Sequence, residues 1–290
     1  VSSRAGTLSL LALLLACGGE QGAVSRVDHA GHPVDIAARA TRIVSLSPSL
    51  TELLFAIGAG DRIVGRTRWG TLPRAAEDVP SVGDGLSPNL ETILAREPDV
   101  VVLYHTPTNA ATIERLRAIG IATLSVRMDR LEDVPEAARF LADVLGDLPG
   151  ADTLADRFEV RLDSLRRRTI LSDSGPSVTI LAWDAPPVVI GGGSFLSQLL
   201  ALAGAHNVFA DLDVPSATVS LESIAQRDPD VLLFVGGGEP AVLDRAEWRT
   251  LSAVEEGRIV SVDGDRYSWP SLRSLDLVGE LFRAIRAVRS

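Results

Sequence analysis

The chain has 290 residues, 46% hydrophobic and 23% charged, enough for one large or two ordinary folded domains. Its net charge is −10 and its 28 basic residues are all arginine, which excludes a basic nucleic-acid surface and any P-loop or Schiff-base lysine chemistry. Cys17 is the single cysteine, so disulfides, Cys-ligated zinc and iron–sulfur clusters are excluded as well.

The first element reads as an address. Arg4 precedes an apolar run over residues 8–15, followed by Ala16-Cys17-Gly18-Gly19. A positive end, a short apolar stretch and small residues make a secretory signal, and the run is too short to span a bilayer. Leu14-Leu15-Ala16-Cys17 resembles the lipobox of bacterial lipoproteins. That resemblance implies a signal peptide over residues 1–16, a lipid on Cys17 and a small, polar tether over 17–26. The alternative is an ordinary signal peptide in which Cys17 is incidental.

Residues 50–59 (LTELLFAIGA) predict a helix closed by Gly58, and Ile63-Val64-Gly65 a short strand. Residues 90–104 (LETILAREPDVVVLY) predict an amphipathic helix stopped ahead of Pro98, then an unbroken apolar strand of the kind buried on both faces in parallel sheets. Residues 116–126 read as helix, turn and strand. From Gly150 to about Leu171, Leu154, Phe158, Leu162 and Leu165 recur at helical spacing with no glycine or proline between them. About 22 residues at 1.5 Å each predict a helix of roughly 33 Å. Beyond it, residues 177–182 predict a strand and 196–205 (LSQLLALAGA) a helix closed by Gly204. Residues 221–235 (LESIAQRDPDVLLFV) predict a helix and buried strand, and 251–262 a further helix, turn and strand.

The second series repeats the first. Residues 90–104 and 221–235 match without a gap at seven of fifteen positions, at an offset of 131 residues. Residues 50–59 echo 196–205, and 116–126 echo 251–262. A period this long marks two domains, not a solenoid. The order helix, strand, helix, strand in each predicts α/β units on parallel-rich sheets. The expected organisation is an N-terminal lobe over residues 27–149, a spine helix over 150–172 and a C-terminal lobe over 173–290.

The chain resembles the helical-backbone metal receptors, the class III periplasmic binding proteins for cobalamin, haem and ferric siderophores. The resemblance covers about residues 27–290. It rests on Val27-Asp28 with Gly31 and Val34 as an opening hairpin and on the strand and loop Arg42-Ile43-Val44-Ser45-Leu46-Ser47-Pro48. It rests also on Asn89-Leu90-Glu91 and on Gly204-Ala205-His206-Asn207-Val208-Phe209. It implies a monomeric receptor with no catalytic residue and no intrinsic cofactor. Such a receptor binds a metal chelate between its lobes, closes little because the spine is stiff, and delivers to the permease dimer of an ABC importer. Asp184-Ala185-Pro186-Pro187 and Asp265 resemble the cobalamin branch, and cobalamin is the expected ligand. Tryptophans of that branch are missing near Pro215-Ser216 and near Val82-Gly83-Asp84, so ferric siderophore and haem remain as alternatives.

Glu91 and Glu222 hold the same position in the two repeats. An acidic residue in a first turn complements the helix dipole. The resemblance gives the pair a second role, docking to arginines on the two importer subunits, and a pseudo-two-fold receptor suits a two-fold partner. Expected ligand-binding residues are Trp69, Asp84, Gly85, Tyr104 and His105 from the first lobe. The second lobe would contribute Trp183, Asp184, Asp265, Tyr267, Trp269 and Arg273. Three of four tryptophans fall at such strand ends and loops, where flat rings suit a macrocycle and arginine meets polar groups. Packing at the rim or in the core is the alternative for Trp69 and Trp183. The histidines assemble no metal site: His29 and His32 read as surface residues of the opening hairpin, His206 as a turn residue, and His105 as a polar rim residue or a group that ligates haem iron or displaces a water from cobalt. An α/β enzyme is the alternative class. Gly191-Gly192-Gly193-Ser194 and Gly236-Gly237-Gly238 lack the context of a dinucleotide fingerprint, and Ser194 lacks a nucleophile elbow. A helix N-terminus at Ser194 would suit an anionic group of a ligand.

Overall fold

The computed structural model describes residues 26–289 except 35, 37–39, 86–87, 147, 170–174 and 237–244. The readings that fall on residues 1–25, among them the signal peptide and Cys17, and on Gly237-Gly238 lie outside the described residues.

The first sheet is built in chain order from β1 (Ile43–Ser45), α1 (Pro48–Ala56), β2 (Ile63–Arg66), α2 (Leu90–Leu94), β3 (Val100–Tyr104), α3 (Ala110–Ala118), β4 (Ala122–Val126) and α4 (Asp133–Leu145). Its four strands are all parallel, in the order β2-β1-β3-β4. Then comes α5 (Gly150–Thr169), the long helix. The second half comprises β5 (Ser177–Asp184), β6 (Pro187–Ile190), α6 (Phe195–Leu202), β7 (His206–Asn207), β8 (Ser216–Thr218), α7 (Leu221–Arg227) and β9 (Val231–Val235). It ends with α8 (Ser252–Glu255), β10 (Ile259–Val262), α9 (Gly264–Tyr267) and α10 (Leu277–Ala287). Its sheet runs β10-β9-β5-β6-β8, with β7 also beside β5. Strands β10, β9, β5 and β7 are parallel, and β6 is antiparallel to both β5 and β8. The fold is α/β with two parallel-rich sheets, as the sequence predicts.

The repeat is visible at the level of single hydrogen bonds. Glu97 and Asp228, 131 residues apart, are the two non-glycine residues with positive φ among those described, at 47° and 40°. Each turns the chain from its helix into the buried strand. Two residues on, Asp99 accepts from the Thr41 and Arg42 amides and the Thr41 hydroxyl. Asp230 accepts from the Ser177 amide and hydroxyl in the same way. In both sheets this carboxylate ties the start of the central strand, β1 or β5, to its neighbour β3 or β9. Backbone hydrogen bonds hold both carboxyls below the usual aspartate range. The halves diverge at one edge, where β2 is parallel to β1 but β6 folds back on β5.

Alternation along the strands sends successive side chains into different cores. Val100 and Val102 of β3 join one cluster, Val101 and Leu103 another. In β9, Val231 and Leu233 join the first of these, while Leu232 and Phe234 enter a third. The first cluster is therefore continuous. It runs from the inner face of one sheet through Phe158 and Leu162 of α5 to the inner face of the other. Helix α5 packs on α4 and α1 on one side and on α6 on the other.

The opening hairpin forms as expected, with Val27 bridged to Pro33 and Gly31 at φ 80°. Asp28 is buried: one carboxylate oxygen accepts from the Ala30 and His32 amides, the other from Ser125 on β4. The surface reading of His29 is corrected. Its ring stacks on Phe140 at 4.6 Å, and its Nδ1 accepts from the Arg127 amide at 2.8 Å.

The run Gly191-Gly192-Gly193 packs under the backbone of residues 210–214. A Cβ on these glycines would lie 2.3 Å from Val214 O, 2.2 Å from Ala210 O and 2.8 Å from Val214 C. Their amides donate to the carbonyls of Pro215, Leu212 and Val214, and the buried Ser194 hydroxyl caps the amide of Leu196. The expected anion site at Ser194 is therefore corrected: these donors already have partners.

Candidate ligand cleft between the two sheets

In parallel α/β sheets ligands gather beyond the carboxyl ends of the strands. Here those ends are Leu46-Ser47-Pro48 after β1, Thr67-Arg68-Trp69 after β2 and Tyr104 at the end of β3. Facing them from the second half is the loop that follows α9. Between them lies an outer cavity of about 540 Å³, lined by Pro48, Ser49, Glu52, Arg68, Trp69, Thr71, Leu72, Asp265, Arg266, Ser268, Trp269, Ser271 and Arg273. A smaller, inner cavity of about 110 Å³ adjoins it and shares Pro48, Trp69 and Trp269. Its other walls are Leu46, Ser47, Thr67, Asp84, Gly85, Tyr104 and Asn109.

A hydrogen bond and a ring contact cross the cleft. Arg273 Nε donates to Glu52 Oε1 at 2.9 Å, joining the second half to the floor helix α1. Burial raises the Glu52 carboxyl above the usual glutamate range, and the guanidinium opposes that rise. The ring of Trp269 meets Tyr104 edge-on, 6.3 Å between centroids. The Tyr104 hydroxyl donates to Asp129, whose carbonyl accepts from the Phe195 amide that opens α6. Burial, and then Asp129, push the Tyr104 phenol well above its ordinary range, so it stays protonated. On the rim, Arg68 lies over Trp69 at 5.3 Å and donates to Asp84 at 2.9 Å. Trp69 is 59% exposed, a flat apolar face held out toward solvent.

Of the residues expected from sequence, the fold brings Trp69, Asp84, Gly85, Tyr104, Asp265, Trp269 and Arg273 to these cavities. Tyr267 is corrected. It is 2% exposed and belongs to the continuous core, because α9 turns it inward while Asp265 and Ser268 face the cleft. Burial pushes its phenol up to about 12. His105 lines neither cavity: its Nδ1 pairs with Ser125 Oγ at 3.2 Å, on the side of the opening hairpin. Trp183 and Asp184 end β5 beside Val188 and Pro187 and also lie outside both cavities. Trp183 is exposed and donates to Ala185 O, and Asp184 faces Arg245 at 3.7 Å. Sequence reasoning missed Glu52, Thr67, Arg68 and Asn109. Glu52 did carry a signal, as the one charged residue of its helix. Among the described residues no group of three or more His, Cys, Asp or Glu is placed to hold a metal ion.

Glu91 and Glu222 both sit exposed in the first turn of their helices. Asn89 and Ser220 supply the side-chain caps, accepting from Thr92 and Ser223. The Glu222 carboxyl is lowered by hydrogen bonds from its own amide and the Ser220 hydroxyl. Helix α2 begins at the cleft edge, where Gly83 bridges Pro88 and Gly85 packs on Leu46.

A family profile described as periplasmic binding protein matches residues 43–265. An uncharacterized ABC transporter substrate-binding lipoprotein of Bacillus subtilis is 28% identical over 265 residues, 89% of this chain and 84% of its own length. The crystal structure of the periplasmic vitamin B12-binding protein of Vibrio cholerae has a TM-score of 0.70 at 25% identity, covering 87% of this chain and 98% of that one. The periplasmic heme-binding protein of Roseiflexus sp. RS-1 has a TM-score of 0.71 at 25% identity, covering 87% and 100%. The chain belongs to the periplasmic binding protein family and has the class III architecture of its helical-backbone metal receptors. More particularly, it is the substrate-binding protein of an ABC transporter.

Proposed function

We propose that this receptor captures cobalamin or a related corrinoid in the cleft and delivers it to the permease dimer of an ABC importer. The observation that carries the reading is the pair of indoles, Trp69 in the loop after β2 and Trp269 in the loop after α9, flanking a cavity of about 540 Å³. Large rings stack on flat apolar ligands, and the arginines at the rim suit the polar periphery of a corrin. Among relatives, the vitamin B12-binding protein of Vibrio cholerae supports the same ligand.

Haem and ferric siderophores are the competing chelates. Haem iron takes an axial ligand from His, Cys, Met or Tyr. Tyr104 stays a phenol bound to Asp129, and His105 is turned to Ser125, so the cleft offers neither as a ready ligand. That favours a chelate whose metal arrives fully ligated. The continuous core through α5 supports a largely preformed cleft, which limits the ordering cost of capture. Glu91 and Glu222 are the proposed docking pair. The family and the leading segment both support export, and the leading segment supports the proposed lipid on Cys17.

The test is spectral. Purified protein is mixed separately with cyanocobalamin, haemin and a ferric siderophore, and free ligand is removed. A retained corrin spectrum is expected. Retention of haem or siderophore without cobalamin would overturn the reading.

A further inference from the structure

Pro48, Ser49 and Glu52 line the outer cavity from one face of α1, at the helical spacings of three and four. Other faces of the helix bury Leu50, Leu53 and Leu54 in the continuous core, so the backbone that carries Glu52 is fixed. The Glu52 side chain is 13% exposed and accepts from Arg273 Nε at 2.9 Å. A carboxylate with so little access to water is costly unless it is paired, which sets this contact apart from an exposed surface ion pair. The other two arginines that line the outer cavity are held within their own halves. Arg68 donates to Asp84 at 2.9 Å, and Arg266 donates to both oxygens of Glu280 at 2.8 Å. Of these three arginines, Arg273 is the one that reaches across.

What Arg273 holds is the loop between α9 and α10. Trp269 lies four residues before it, followed by the buried Pro270. The segment from Ser271 to Ser274 closes on itself. The Ser271 amide donates to Ser274 Oγ at 2.9 Å, the Ser274 amide to Ser271 O at 3.1 Å, and the Arg273 amide to Ser271 Oγ at 3.2 Å. Asp276, at the next turn, accepts from Arg161 of the long helix α5. A segment bonded this closely moves as a unit, so a bond made by the Arg273 side chain is felt at the indole. Trp269 itself meets the first half through the edge of Tyr104. Ring contacts tolerate a broad range of geometries, whereas a charge-assisted hydrogen bond is short and directional.

We propose that Glu52 and Arg273 are positioning residues, a clasp across the floor of the cleft that holds the Trp269 loop so that its indole stands across from Trp69 before ligand arrives. The clasp goes beyond the proposed ligand and rests on that reading only in placing capture in this cleft. Glu52 and Arg273 act on the ligand through Trp269. Holding the loop in advance removes an ordering cost that binding would otherwise bear. Without the clasp the competent loop position is one of several, and affinity falls with the fraction of molecules that occupy it.

The test reads the indole directly. The chain has four tryptophans, so 5-fluorotryptophan gives four fluorine resonances, assigned by replacing each tryptophan with phenylalanine. The variants are Glu52→Ala, Arg273→Ala and the two together. Glu52→Gln keeps the shape and one acceptor, guards against misfolding and is expected to fall between Glu52→Ala and the wild type. In ligand-free protein the Trp269 resonance is expected to shift and broaden in each alanine variant. The double variant should be no worse than the singles, because the pair acts as a unit. Trp248, buried in a separate core cluster, should not move, whereas a general loosening of the fold would not spare it. Cyanocobalamin affinity, by equilibrium titration, is expected to fall about tenfold, as it does when the competent population drops to about a tenth. An unchanged Trp269 resonance in either single alanine variant would overturn the clasp, as would equal broadening of all four resonances. Loss of affinity in Arg273→Ala but not in Glu52→Ala would make Arg273 a direct ligand contact and overturn it too. Wild-type protein that retains no cyanocobalamin would overturn the corrinoid reading, and the fluorine spectra would still decide the clasp.

Discussion

At Gly85 the inner cavity depends on the absence of a side chain. A Cβ there would lie 2.4 Å from the Leu46 carbonyl oxygen and 3.1 Å from Thr67 Cγ2. Both neighbours are cleft walls, and the nearer is backbone, so an added methyl moves the loop and not a flexible tip. Gly85→Ala is expected to cost about 1–3 kcal/mol of stability, as overpacking does, and to weaken ligand binding. An unchanged melting temperature together with unchanged affinity would refute this. Gly85 was legible as a candidate because it precedes Asn89-Leu90-Glu91. Thr67 and Asn109 were not, because nothing in a polar residue after a strand announces that its partner will be missing. That is decided by which loops come together. Tyr267 shows the converse, an aromatic residue in a cleft loop that helical geometry turns into the core.

At the scale of elements, the opening hairpin illustrates how a short motif is held. Asp28 joins it to β4 through Ser125, and His29 closes the joint by accepting the Arg127 amide. That bond needs Nδ1 unprotonated. Burial, with Arg127 next, lowers the His29 pKa from its ordinary 6.5. The unfolded chain then binds a proton at higher pH than the folded one. Stability is complete above about pH 6.5 and falls as the pH drops toward the folded pKa. Denaturant unfolding across pH 7.5 to about 5 should show this loss in the wild type and a flatter profile in His29→Gln. Parallel profiles would refute it. The depressed carboxyls of Asp99 and Asp230 act only near and below their ordinary value of 3.8, so they do not mask the effect. The glycine run at residues 191–193 gives the same lesson in reverse. In sequence the run leads to a helix N-terminus at Ser194 that would suit an anionic group, but packing against residues 210–214 accounts for each glycine.

For the whole molecule, the two halves are joined by more than a linker. The inner faces of both sheets and one side of α5 form one core, with ties from Gln198 to Glu132 and from Thr169 to Leu202 beside it. The repeat places Glu91 and Glu222 at matching helix starts on either half, beside the capping side chains of Asn89 and Ser220. If they dock the importer, interface charge pairs of roughly 1.5–7 kcal/mol are at stake. Glu91→Ala combined with Glu222→Ala is expected to abolish corrinoid uptake by cells while ligand affinity stays within about twofold. Normal transport by the double variant would remove the docking role.

Local pattern carries what depends on chain neighbours. The 131-residue repeat, the parallel-rich strands, the glycine-ended helices and the long helix were all readable from periodicity, because burial on one or both faces imposes its period on the chain. The helix observed over Gly150–Thr169 buries Phe158 and Leu162 of the predicted stripe. The two tryptophans of the cleft were readable as aromatic residues at loops that the repeat does not require. Tertiary structure alone decided which loops face each other. It paired Glu52 with Arg273 across 221 residues, turned His105 and Tyr267 away from the cleft, and buried Asn109 Oδ1 and Thr67 Oγ1 without a hydrogen-bond partner. Those outcomes depend on distances between strand ends that no periodicity encodes, and they are the ones that set what the cleft can hold.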